Sequence, residues 1–361
     1  MKGKHSIVVR NRRVQFALEL ERNITVIRGD SATGKTTMLG MLRDYEELGA
    51  QSGVAVQCDK PCRTLTSRDW ESQLSRMKDS IVFVDEGNAF VSSRAFAQAI
   101  CGSSNYYVLI TRESLYQLPY SVEAVLELRT TTRREKCTYN KAYPYYGTLE
   151  HAASEMDRSD RILTEDSNSG YQMLSKIAEQ YHVRCEAANG KSNIYACLEE
   201  RSNDKTLVIA DGAAFGAEME KIYRFLKLHP SQVMLYLPES FEWLILKSGI
   251  VHNAKLADIL ERPEEYIDSA KYFSWEQFFT ELLIQLTSER DYMRYGKQSL
   301  APFYLQAENI RKVISAMERD CYFGGIWGGQ LQWYKDNKAL KDGSPLPHKH
   351  DEDNGSGTFG S

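Results

Sequence analysis

The chain has no apolar run approaching the ~20 residues that a membrane-spanning helix needs, so its sequence points away from a membrane. It also lacks a surplus of positive charge. With 45 Lys and Arg against 49 Asp and Glu, the net charge is −4. A nucleic-acid partner therefore gets no support from overall charge and would need a local patch. Cysteine is sparse, at seven in 361 residues, and an odd, thinly spread set suits reduced thiols better than a disulfide framework. Cys58 and Cys62 form a close pair, but no second Cys/His pair stands near enough to complete a zinc site. The basic start Met1-Lys2-Gly3-Lys4-His5 is not followed by the apolar stretch of a signal peptide. These absences predict a cytoplasmic protein. The length predicts about two domains, each able to bury its own core.

What is present begins with Gly29-Asp30-Ser31-Ala32-Thr33-Gly34-Lys35-Thr36-Thr37. This run fits G-x-x-x-x-G-K-[ST], the phosphate-binding P-loop or Walker A motif. It is preceded by a strand-like run, Ile24-Thr25-Val26-Ile27, and followed by a helical one, Thr37 to Tyr45, which is the context the motif requires. Glycines let the backbone turn its N–H groups toward phosphate oxygens, and the helix adds its positive end. Lys35 would neutralise phosphate charge, and the Thr36 hydroxyl would ligate Mg²⁺. The expected ligands are ATP and Mg²⁺.

A second motif, Ile81-Val82-Phe83-Val84-Asp85-Glu86-Gly87, reads as a buried strand delivering two carboxylates, a Walker B pattern. Asp85 is placed to hold the Mg²⁺ shell and Glu86 to orient an attacking water, since positioning does most of the catalysis in phosphoryl transfer. The run Asn105 to Arg112 reads as a further core strand. Arg112 at its exit is either a γ-phosphate sensor or an ordinary surface arginine. The basic run Arg129 to Lys136 is either a kinase-type lid or a solvated loop. No N-K-x-D guanine-reading motif occurs, which favours ATP over GTP.

Residues 6 to 129, with a hairpin at Asn11-Arg12-Arg13 leading into the P-loop strand, resemble the start of ATP-binding-cassette and SMC-type ATPases. The resemblance implies a minimal P-loop ATPase core. The LSGGQ-like signature of cassette dimers is absent, so signature-dependent chemistry is not implied. The opening R-G-D-S-A-T-G-K-T is also similar to uncharacterised bacterial mobile-element proteins sometimes labelled translation initiation factor 2. That label requires guanine-binding and switch motifs that this chain lacks.

From Arg161 the pattern restarts, with strand-like runs at 161–165, 183–187, 206–210 and 232–237 alternating with helical ones, which predicts a second parallel sheet. This half resembles the TOPRIM domain of topoisomerases, primases and OLD-type nucleases. The resemblance implies metal ligands at Glu165 and at Asp211, the first acid of a D-x-D-x-x-G-like run, Asp211-Gly212-Ala213-Ala214-Phe215-Gly216. Ala213 replaces the second acid. Glu239 is placed to compensate, with Glu242 one helical turn on. A purely structural alternative makes these acids helix N-caps.

The expected fold class is thus α/β with two parallel-sheet α/β domains, a P-loop NTPase fold followed by a smaller TOPRIM-like fold with a helical extension. The expected division is 1–136 for the ATPase domain, 137–160 for a linker, 161–250 for the TOPRIM-like domain, 251–340 for the helical extension and 341–361 for a disordered tail. The fusion resembles phage-defence systems that pair an ATPase with a TOPRIM-like effector. Three functions stay open: an ATP hydrolase gating a domain that acts on nucleic acid, an ATP-dependent switch that only binds, and a small-molecule kinase. A homo-oligomer or a partner protein is expected in any of them.

Overall fold

The computed structural model describes residues 1–29, 33–66, 68–134, 137–147 and 159–320, with backbone alone over 132–134. Asp30, Ser31 and Ala32 of the loop lie outside the described residues. So do Glu135 and Lys136 of the basic run, residues 148–158 of the expected linker, residues 321–340 of the expected extension, and the expected tail 341–361.

Strands β1 (His5–Arg10) and β2 (Val14–Leu20) pair antiparallel. The Asn11 side chain closes their turn by accepting from the backbone N–H groups of Arg13 at 2.8 Å and Val14 at 3.0 Å. Strand β3 (Ile24–Arg28) then leads into the loop and helix α1 (Lys35–Leu48). Next come β4 (Ala55–Gln57), β5 (Cys62–Leu65), α2 (Trp70–Ser75), β6 (Ile81–Val84), α3 (Arg94–Ile100) and β7 (Tyr106–Ile110). A long hairpin, β8 (Val125–Arg134) and β9 (Cys137–Pro144), completes a nine-stranded sheet ordered β4-β1-β2-β9-β8-β3-β7-β6-β5.

This sheet corrects the expected fold class. Strands β8, β3, β7, β6 and β5 are mutually parallel, but the β1–β2, β1–β4 and β8–β9 pairs are antiparallel. The sheet is therefore mixed, and two simple parallel-sheet domains do not describe the chain. The sequence misled at residues 137–144. Their tyrosines and mixed charges read as a linker, yet they form β9, held between β2 and β8. The basic run, read as a lid or a solvated loop, lies on β8 as far as Arg134.

The sheet must also curl. Laid flat, nine strands at about 4.8 Å spacing would put the edge strands about 38 Å apart. Those edges, β4 and β5, are joined by residues 58–61 alone, a span of at most about 18 Å between Gln57 and Cys62. The concave side holds α1, where Met38, Leu39 and Leu42 pack with Ile7, Phe16, Ile27, Phe83 and Val108. From α1, the Glu46 carboxylate accepts the Thr64 N–H of β5 at 2.8 Å.

Beyond it, β10 (Arg161–Thr164), α4 (Ser169–Tyr181), β11 (Arg184–Ala187), α5 (Ile194–Glu200), β12 (Thr206–Ile209), α6 (Met219–Leu228), β13 (Val233–Tyr236) and α7 (Phe241–Lys247) alternate as read. Their sheet is parallel throughout, in the order β11-β10-β12-β13. Helices α8 (Leu256–Glu261), α9 (Trp275–Thr287) and α10 (Ala307–Asp320) are not an appendage. Trp275, Phe279, Leu283, Ile310 and Val313 share a core with Ile162 and Leu207 of the second sheet and Met173 of α4.

The two sheets also share a core. Period-two alternation sends Ile24 and Val26 of β3, Val82 of β6 and Leu109 of β7 to one face. There they meet Leu163 and Val208 of the second sheet, with Ile194, Ile222 and Phe225 from α5 and α6. Loop 211–216 is pinned at this junction. The Gly216 N–H donates to the Tyr120 carbonyl at 2.9 Å, and a Cβ on Gly216 would lie 2.3 Å from the buried Tyr120 ring and 2.7 Å from its carbonyl oxygen. Replacing Gly216 with Ala is expected to cost about 3 kcal/mol or more, because backbone must move to admit the methyl. Urea denaturation checks this, and a loss under 1 kcal/mol would show that the junction is looser than described.

Candidate functional site

The parallel order brings three strand ends to one edge. In register, Ile27 of β3 faces Ile110 of β7, and Leu109 of β7 faces Val84 of β6. Gly29, Thr111 with Arg112, and Asp85 with Glu86 therefore leave adjacent strands at the same level. Gly29 and Gly34 both have positive φ, at 120° and 89°, a conformation an L side chain resists. A Cβ on Gly34 would also come within 2.9 Å of the Phe16 ring.

Helix α1 begins at Lys35 with no side-chain cap and no acid in its first turn. Its leading N–H groups and positive dipole end suit an anion. Lys35 is buried, and its ammonium donates to the Gly29 carbonyl at 2.8 Å and to the Thr33 hydroxyl at 2.9 Å, bracing the loop from within. Thr36 and Thr37 are exposed. The donor set fits a polyphosphate.

The Walker B acids are engaged differently from one another. Asp85 Oδ1 accepts the Glu86 N–H at 2.8 Å, and its Oδ2 lies 3.4 Å from the Arg43 guanidinium of α1. Glu86 Oε1 pairs with Arg112 Nε at 2.9 Å, both side chains being exposed. The structure thus joins the expected water-orienting carboxylate to the expected phosphate sensor. Among the described residues no group of three His, Cys, Asp or Glu side chains is arranged to hold a metal. The exposed Thr36 hydroxyl and the Asp85 carboxylate are oxygen donors of the kind Mg²⁺ takes, since that ion needs one or two protein oxygens and fills its shell with phosphate and water.

The second expected cluster divides. Glu165 and Asp211 line one small pocket of about 50 Å³ with Asp166, Ser169, Glu242 and Lys297, room for about one or two waters. Glu165 Oε2 accepts the Asp211 N–H at 3.3 Å, and Asp211 Oδ1 accepts the Phe241 N–H at 3.0 Å. Glu239 is not among the lining residues. Its carboxylate takes both terminal nitrogens of buried Arg22, at 3.0 and 2.5 Å, and the Arg22 guanidinium stacks 3.6 Å over the Trp275 ring. Buried Glu242 is the acid that turns toward Asp211's pocket, accepting from the Tyr295 hydroxyl at 2.7 Å. Glu165, Asp211 and Glu239 therefore do not fit a shared divalent ion.

Burial is the main cause that holds the Asp211 carboxyl well above its ordinary pKa. Glu276, Glu165 and Glu242 add to the rise and Lys297 opposes it. Burial likewise raises Glu165, opposed chiefly by Lys191. A carboxyl whose folded-state pKa is raised binds its proton more tightly when folded. Above the unfolded value of 3.8 it therefore lowers stability progressively until the folded-state pKa is passed. Asp211→Asn keeps the Oδ1 acceptor and cannot ionise. It is expected to melt a few degrees above wild type at pH 8, with the difference shrinking toward pH 5. Melting curves at stepped pH check this, and a variant less stable than wild type at every pH would contradict it.

Sequence reading missed Arg28, Arg43 and Arg22, which touch these sites. Arg28 carried a signal in its place immediately before Gly29, and the alternation of β3 puts it on the face of Ile24 and Val26.

No protein-family model matches the chain. A curated protein named beta-xylosidase, from Xylanibacter ruminicola, is 95% identical over 20 residues. That stretch is 6% of this chain, and the chain spans 6% of that protein's length. Twenty residues make only a few secondary-structure elements, so this likeness carries no fold and no site.

Proposed function

We propose that residues 29–37 bind the triphosphate of ATP and that the protein hydrolyses it. The observation that carries this reading is the alignment of Gly29, Asp85–Glu86 and Thr111–Arg112 at three adjacent parallel strand ends, with Lys35 donating to the Gly29 carbonyl. Backbone N–H groups at the start of α1 and the Lys35 ammonium would receive the phosphates. Mg²⁺ on Thr36 and Asp85 would neutralise phosphate charge. Glu86, released from Arg112, would accept a hydrogen bond from the attacking water and orient it in line, and Arg112 would turn to the γ-phosphate. The Glu86–Arg112 pair supports a site that rests with its catalytic charges mutually satisfied. In this reading the nucleotide state acts on the second sheet through the shared core, and nucleic acid is one ligand to test there. The choice of ATP rests on the missing guanine motif.

The test is Mg²⁺-dependent phosphate release by wild type, Lys35→Ala and Glu86→Gln, with nucleotide binding measured separately and single- or double-stranded DNA added in parallel. Lys35→Ala is expected to weaken ATP binding at least tenfold. Glu86→Gln is expected to bind normally and lose turnover about 100-fold or more, the scale on which a positioned acid–base group acts. Tight binding without turnover in wild type would make the protein a nucleotide-dependent switch. Turnover only with an added acceptor would make it a kinase.

A further inference from the structure

The residue immediately before the phosphate loop is tied to the second sheet. Arg28 ends β3, is 3% exposed, and faces the shared core. Its Nη1 donates to Glu220 Oε2 at 2.8 Å and meets the Tyr146 hydroxyl at 3.4 Å. Its Nη2 donates to the Ser114 hydroxyl at 3.0 Å and the Glu113 carbonyl at 3.2 Å. Glu220 lies in the first turn of α6, where the helix dipole favours a negative charge. Glu113 and Ser114 directly follow Arg112. One guanidinium therefore joins the strand that carries the loop, the segment that carries Arg112, and a helix of the second sheet.

Two features make this contact more than a general interdomain ion pair. Arg28 is adjacent in sequence to Gly29, whose φ of 120° forms the loop, so any turn of the loop backbone is delivered to the base of the Arg28 side chain. Among the described residues the guanidinium is also incompletely satisfied, since its buried Nε meets no hydrogen-bond partner there. Buried polar groups in native proteins are nearly always paired, and an exception calls for a physical reason. A buried donor left unmet costs free energy, so a rearrangement that pairs it is favoured.

We propose that Arg28 is a positioning residue that couples occupancy of the phosphate loop to α6 through Glu220. This inference rests on reading residues 29–37 as a nucleotide loop. Coupling between two sites is reciprocal in binding free energy, so loosening the Glu220 end must change nucleotide affinity at the other.

The experiment uses full-length wild type, Glu220→Gln, Glu220→Asp and Arg224→Ala. Arg224 is the exposed partner of Glu220 one turn along α6 and serves as the control for a surface charge change. Nucleotide affinity is measured with a fluorescent ATP analogue, and amide exchange over residues 216–228 is measured with and without ATP. Wild type and Arg224→Ala are expected to change exchange in α6 on binding. Glu220→Gln is expected to lose that response and shift the nucleotide Kd about fivefold or more. Glu220→Asp, which keeps the charge, is expected to restore most of both. The shift must appear in Glu220→Gln protein that shows wild-type exchange protection in β12 and β13, which separates coupling from unfolding. An unchanged Kd, or an α6 response that persists in Glu220→Gln, overturns the proposal. A wild type that binds nucleotide with no α6 response also overturns it. A wild type that binds no nucleotide brings down the underlying reading, and this inference with it.

Discussion

The architecture depends on an apolar layer that neither sheet could cover alone. Strand β3 runs through the middle of the first sheet, and the core on one of its faces takes in α5, α6 and the second sheet together with Phe96 of α3 and Tyr120. Burying that surface is the largest favourable contribution to the association of the two halves. It sets their spacing but not their register. Register comes from two buried arginines, Arg22 just before β3 on Glu239 and Arg28 at its end on Glu220. A guanidinium taken out of water is costly unless its partners are well placed, and removing one partner of such a pair typically costs about 3–5 kcal/mol. The sheets are therefore held in the arrangement that satisfies both arginines.

That constraint explains why the acids of the second sheet serve different ends. Glu165 and Asp211 lie where successive parallel strands terminate, as the sequence suggested, but backbone N–H groups from Asp211 and Phe241 take their oxygens. Glu239 follows the next strand and is directed to Arg22. The glycine of the D-x-D-x-x-G-like run has a packing reason as well, because Gly216 lies against Tyr120 with no space for a side chain. A pattern resembling a metal motif thus arises from helix entry, interlobe pairing and close backbone approach.

At the other site the physical logic is that of mutual neutralisation. Lys35 braces its own loop, Arg43 lies near Asp85, and Arg112 holds Glu86. Each of these cations is already close to an oxygen acceptor. The Glu86–Arg112 pair is exposed and worth little by itself, so a triphosphate with several negative charges would compete for its cation. The buried pair at Arg28 is stiffer and lies beneath them.

Much of this was legible in the chain itself. Local chemistry determined the loop at Gly29 and Gly34, the helix that starts at Lys35, the buried strand ending at Asp85 and Glu86, and the alternation of strands and helices after Arg161. These depend on backbone permissiveness and on period-two or period-3.6 burial, which neighbouring residues suffice to specify. Other features belong to the tertiary structure. Residues 137–144 form a strand because β2 and β8 offer pairing on both sides, whatever their own weak pattern. The sheet is mixed because the β1–β2 and β8–β9 hairpins pair antiparallel beside parallel strands, and it is curled because its two edges are linked by a short connection. Arg28 and Glu220 are 192 residues apart, and an arginine at a strand end looks the same in sequence whether it faces water or a carboxylate across a core. A charged side chain's partner is set by which surfaces meet, and only the folded chain decides that.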